Sequence, residues 1–160
     1  GPRHPPDEEA GPRDYRRLVD EGDRYQTEGR NAQARERFRQ ALALRPNGTE
    51  ALTGMGYVAL DQRELSTAAS YFRQALGTNR RYSEALIGLG ETYASQGQYP
   101  QAVDIYNEYL QYFPSGPHAN LARRQVEALQ ERLRPRQEPA SPDSRGTSGA
   151  SSPQGSAPGG

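Results

Sequence analysis

Residues 83–116 read SEALIGLGETYASQGQYPQAVDIYNEYLQYFPSG. In the first half Leu86, Leu89, Gly90 and Tyr93 fall at i, i+3, i+4 and i+7, which is one stripe of a helix. In the second half Ala102, Tyr106, Tyr109 and Leu110 line another. Between them lies Ser95-Gln96-Gly97-Gln98, a polar break whose glycine suits a left-handed helix end. Pro114 then suits a helix stop. The stretch predicts a helix, a turn and a second helix.

Moving outward, the same pattern recurs with a step of 34 residues. Gly22, Gly56 and Gly90 share a column, as do Ala34, Ala68 and Ala102. So do Phe38, Phe72 and Tyr106; Leu18, Leu52 and Leu86; and Leu42, Leu76 and Leu110. Copies one and two turn around Thr27-Glu28-Gly29 and Asp61-Gln62-Arg63. The mid-helix glycines cost about 1 kcal/mol each relative to alanine, so their fixed period implies close helix approach. The alanine column is their expected partner, and the aromatic column is expected to fill the gap between successive hairpins.

A seventh helix is expected after Pro117, where Ala122, Val126, Leu129 and Leu133 step by 4, 3 and 4. Arg123, Arg124, Glu127 and Glu131 line its other side. Such a helix caps a solenoid; the alternative is a partner-binding amphipathic helix.

The chain has 160 residues, of which 32% are hydrophobic, below the roughly 45–50% of a typical globular domain. The deficit sits at the ends. Residues 1–13 and 135–160 are rich in Pro, Gly, Ser and charge, and are expected to be a disordered arm and a disordered tail around a folded unit spanning 14–134. Within it the copies are expected at about 15–48, 49–82 and 83–116, and the cap at 117–134. The opening Gly1-Pro2 reads as the scar of an engineered protease site, and the chain as a piece of a larger protein.

Net charge is zero, so no global field favours nucleic acid, and there is no apolar run for membrane insertion. All 20 cationic residues are arginine, which fits the codon bias of a GC-rich, bacterial genome and removes lysine chemistry. The absence of cysteine removes thiolate zinc sites and cysteine nucleophiles. His4 and His118 lie too far apart for a metal pair. The basic run Arg30, Arg35, Arg37, Arg39 and Arg45 reads as a solvated helix face rather than a nucleic-acid contact. Neither a catalytic constellation nor a cofactor or metal site is expected, and the chain is read as no enzyme.

The column Leu18, Gly22, Tyr25, Gly29, Ala34, Phe38, Ala41 and Pro46, and its third-copy counterparts, resembles the tetratricopeptide repeat family over about residues 14–114. Copy three places Tyr109 where the family has a small residue, and copy two departs with Ala59, Arg63 and Arg80, so its loops are expected to be less regular. The resemblance implies an all-α, right-handed superhelical solenoid of three helix-turn-helix repeats with a C-terminal capping helix.

It also implies that the first helix of each copy lines a concave groove for a protein or peptide segment. Those positions are Arg16, Val19, Asp20, Asp23 and Gln26 in copy one; Glu50, Thr53, Gly54, Tyr57 and Leu60 in copy two; and Glu84, Ile87, Gly88, Glu91 and Ala94 in copy three. Val19, Tyr57, Leu60 and Ile87 are expected to form an apolar stripe, Gly54 and Gly88 to let a peptide backbone approach, and the acids to rim it. An apolar ligand segment flanked by basic residues fits that pattern. Chaperone-binding members grip a C-terminal carboxylate with a Lys/Asn/Arg clamp; the matching positions here are Val19, Asp23, Gly54, Glu84 and Gly88, with no clamp residue among them.

The leading reading is a scaffold or adaptor module of a larger bacterial protein. The alternatives are weak self-association or extension of a longer repeat array, and an RNA-binding helical repeat. The expected location is cytoplasmic, with a periplasmic or envelope-associated one as the alternative.

Overall fold

The computed structural model describes residues 6–136, and among them seven α-helices and no strand. They are α1 (Pro6–Thr27), α2 (Asn31–Leu44), α3 (Thr49–Asp61), α4 (Leu65–Thr78), α5 (Ser83–Ser95), α6 (Tyr99–Tyr112) and α7 (Ala119–Leu133). α1 packs on α2, α3 on α4 and α5 on α6, while α7 lies against α6. α1, α3 and α5 also touch in series, so the first helices of the hairpins stand side by side. The result is an all-α helical-repeat solenoid.

α1 begins inside the segment expected as a disordered arm through residue 13. Its opening residues, Asp-Glu-Glu-Ala at 7–10, suit the first turns of a helix, which extends it past Gly11 and Pro12. The expected tail lies outside the described residues from position 137 on.

The solenoid is held by an aromatic lock: the aromatic column fills the gap between successive hairpins, as expected, and its rings are the atoms nearest the glycine column. The Phe38 ring lies over Gly22 of its own hairpin and over Gly54 of the next. Phe72 does the same between Gly56 and Gly88. A Cβ on any of these four glycines would stand closer than 3.0 Å to the ring. Both phenylalanines are fully buried, as are Ala34 and Ala68. Glycine therefore serves here by lacking a side chain where a ring must fit between two helices.

The turns inside the hairpins share one backbone shape. Gly29 and Gly97 have φ of 77° and 75°, and Arg63 has φ of 62°. The second turn is thus as regular as the others, although its arginine carries the strain of a left-handed conformation. The links between hairpins are also alike: the Gly48 N–H donates to the Arg45 carbonyl at 3.0 Å, and the Tyr82 N–H to that of Asn79 at 3.2 Å, with Arg80 in place of proline.

The last link is longer, and Tyr109 fills the space it makes. This ring is fully buried, and its hydroxyl accepts the His118 N–H at 2.9 Å, just ahead of α7. The departure from a small residue in that column is therefore what seats the final helix.

Candidate protein-binding face

α1, α3 and α5 present one continuous face. It gathers Arg16, Asp20 and Asp23 from α1, Glu50 and Tyr57 from α3, and Tyr82 and Glu84 from the start of α5. Tyr57 bridges two helices: its hydroxyl donates to the Glu84 main-chain oxygen at 2.7 Å. Its ring meets Phe72 edge-on with centroids 5.0 Å apart. At the N-terminal end the Tyr15 hydroxyl donates to Glu50 at 2.8 Å and accepts the Ala51 N–H at 3.3 Å, satisfying a free donor in the first turn of α3.

The face is negative. Water reaches Asp23, yet the surrounding helices wall it in. Burial, then Asp20 and Glu84, push its carboxyl up from 3.8 to about 6. Burial, then Glu84, Glu50 and Asp23, push the Tyr82 phenol up to about 12. Tyr57 is raised by burial and then by Glu91 and Glu84. Further along, Glu91 is raised by burial and by Asp61, with Arg63 opposing.

Four of the arginines pair away from this face. Arg37 meets Glu21 at 2.8 Å, Arg35 meets Glu64 at 3.6 Å, Arg39 meets Glu36 at 3.9 Å and Arg80 meets Glu108 at 2.6 Å. The basic run of α2 is largely neutralised by these contacts, while Arg45 lies over the Tyr15 ring. Acids thus outnumber cations on the inner face, where Arg16 stands beside Asp20 and Glu50 at one end and Asp23 and Glu84 have no ion pair among the described residues.

The structure separates the expected groove residues into two groups. Asp20, Asp23, Tyr57, Glu84 and Glu91 reach the face. Val19, Leu60 and Ile87 are only 7%, 6% and 7% exposed, so they belong to the packing beneath it rather than to an apolar stripe upon it. Thr53 is buried and donates to the Thr49 carbonyl at 2.7 Å. Gly54 and Gly88 open no path for a peptide backbone, because Phe38 and Phe72 occupy the space above them. The physical reason is that a first helix is covered both by its own partner and by the preceding hairpin, which leaves it a narrow free strip. Tyr82 was missed because it stands at a link position where copy one has Gly48.

Among the described residues, no group of three or more His, Cys, Asp or Glu is placed to hold a metal ion. None of the described helices is long and apolar enough to cross a membrane. His4 lies outside the described residues.

Fold and face together define a helical-repeat interaction module. A family profile described as Tetratricopeptide repeat matches residues 19–79 and 53–120, and the chain belongs to that family. Such repeats are protein–protein interaction modules, and their fold is in general not enzymatic. The first TPR domain of Spaghetti (RPAP3), bound to the HSP90 peptide SRMEEVD, is 17% identical with a TM-score of 0.71, covering 76% of this chain and 96% of that one. The TPR domain of Sgt2 from Aspergillus fumigatus is 20% identical with a TM-score of 0.69, covering 82% and 93%. Pseudomonas aeruginosa pilF is 20% identical with a TM-score of 0.72, covering 78% of this chain but 55% of its own. At these identities the likeness is one of fold. A search of curated proteins gives no match.

Proposed function

We propose that the inner face binds an extended protein segment that carries basic residues beside apolar ones, and that the chain is a scaffold or adaptor module of a larger bacterial protein. The observation that carries this reading is the gathering of Asp20, Asp23, Glu50 and Glu84 around Tyr57 and Tyr82. Like charges this close raise one another's proton affinity, and a cationic side chain laid among them relieves that repulsion. Tyr57 and Tyr82 supply half-buried rings for the apolar and cation–π part of the contact. With Val19, Leu60 and Ile87 largely covered, affinity rests more on charge and aromatic surface than the sequence pattern implied.

The HSP90 peptide held by the RPAP3 domain is itself acidic. An acidic peptide placed here would meet Asp23 and Glu84, so the partner of this chain differs in charge from that one. A peptide array of mixed sequence tests the reading. Retained peptides are expected to be rich in arginine and lysine next to apolar residues, and to be lost by an Asp23→Arg/Glu84→Arg variant. Retention of acidic peptides, or the same set bound by the variant, refutes it.

A further inference from the structure

The aromatic lock is complete twice and incomplete the third time. Tyr106 lies over Gly90, where a Cβ would come within 2.8 Å of the ring. On its other side α7 has no glycine; it offers Leu121, Gln125 and Leu129 instead. These side chains hold the α7 backbone away from Tyr106, and a cleft of about 520 Å³ opens between α5 and α7.

The Tyr106 ring is only 2% exposed, and its hydroxyl makes no hydrogen bond among the described residues, although it lines this cleft. That hydroxyl opens onto the cleft and is not sealed in the core, so it is available to a donor entering from solvent. Glu91 stands on the α5 wall, with no hydrogen bond or close ion pair among the described residues. It is near enough to Tyr106 to raise the phenol further beyond what burial does, so that hydroxyl stays neutral. On the α7 wall Arg132 is already engaged, donating to the Tyr99 hydroxyl at 2.6 Å and lying over its ring. The cleft therefore has an apolar floor, a free carboxylate at one wall and a committed cation at the other.

We propose that this cleft is the anchor pocket of the inner face and takes one arginine or lysine side chain of the bound segment. The aliphatic stem lies along Leu121 and Leu129. The cationic head meets Glu91 and donates an N–H to the Tyr106 hydroxyl. Arg132, fixed against Tyr99, sets the direction by repelling a head group placed the other way round. The inference rests on the reading that the inner face binds a basic segment, and adds where its strongest contact falls.

Titration of the isotopically labelled chain with acetyl-Leu-Arg-Leu-amide, followed by amide NMR, tests it. The amides of Glu91, Ala94, Gln125 and Leu129 are expected to shift saturably. Replacing the arginine by neutral citrulline, or Glu91 by glutamine, weakens binding by about tenfold or more, as loss of a charge-assisted contact does. Tyr106→Phe, which keeps the ring, weakens it by a smaller factor. Circular dichroism establishes that the variants are folded. Shifts confined to the neighbourhood of Asp23 and Glu84, unchanged by Glu91→Gln, overturn the anchor pocket and leave the inner-face reading standing. No saturable shift at either end overturns both.

Discussion

Replacing Gly54 by alanine probes the aromatic lock directly. An exposed helix gains about 1 kcal/mol from glycine to alanine through the backbone alone. Gly77, in the last turn of α4, is such a site, since a Cβ there meets nothing within 4 Å. At Gly54 the added methyl would stand closer than 3.0 Å to three ring atoms of Phe38. That ring is itself pinned from behind by Gly22, so it has no direction in which to yield. Overpacking of this kind costs about 1–3 kcal/mol, and a ring confined on both sides belongs at the upper end. Set against the backbone gain, Gly54→Ala is expected to destabilise by about 2 kcal/mol. Gly77→Ala is expected to stabilise by up to about 1 kcal/mol. In thermal melts the two variants move in opposite directions, by several degrees each. Combining Gly54→Ala with Phe38→Leu recovers part of the loss, giving a coupling of at least about 1 kcal/mol in a double-mutant cycle. If Gly54→Ala is stabilised as Gly77→Ala is, or if the cycle shows additivity, the lock is not what spaces the hairpins.

Arg63→Gly relieves a non-glycine residue at φ 62° and is expected to stabilise by about 1 kcal/mol in a denaturant melt; a loss of stability contradicts the strain. Tyr109→Phe leaves the His118 N–H without its acceptor and is expected to cost about 1–2 kcal/mol, with the α7 amides exchanging hydrogen faster than those of α3. Asp23 holds its proton more tightly folded than unfolded, since its carboxyl is raised from 3.8 to about 6. The stability linked to that proton is fully present below pH 3.8 and is lost as pH rises through about 6. Asp23→Asn is therefore expected to raise the melting temperature at pH 7.5 and to leave it unchanged at pH 3.5. Because water reaches the carboxylate, the effect is about 1 kcal/mol or less. Affinity for a basic peptide should fall as the pH drops from 7.5 to 5, as Asp23 loses its charge.

The fold was legible because the period is carried by residues with a steric purpose. Gly56, Ala68 and Phe72 keep their columns wherever helices cross, so three registered copies define the hairpins from the sequence alone. What each column touches was less legible. Spacing alone does not say that one ring is gripped by glycines of two successive hairpins, as Phe38 is by Gly22 and Gly54. Positive φ at Arg63 was hidden because the turn imposes its shape on whatever residue stands there. The face was legible in its charges and not in its apolar part. Asp23, Glu84 and Glu91 have to reach solvent, whereas Val19 and Ile87 have the period of a free strip and are covered by neighbouring helices. The cleft beside Tyr106 had one signal in the sequence, the lack of a glycine in residues 119–133, which acquires meaning once the ring is seen to need one.

The acidic inner face, and not the arginine-bearing outer surface, is proposed to hold the partner. Capture from a lysate of the source organism tests it most directly, using three forms of the chain side by side: the unaltered protein, the inner-face reversal Asp23→Arg/Glu84→Arg, and the outer-face reversal Arg39→Glu/Arg73→Glu. All four positions are exposed, so each form is expected to keep its helical circular dichroism. The account predicts one protein retained by the unaltered chain and by the outer-face reversal, and released by the inner-face reversal. Retention by the inner-face reversal together with loss by the outer one contradicts it.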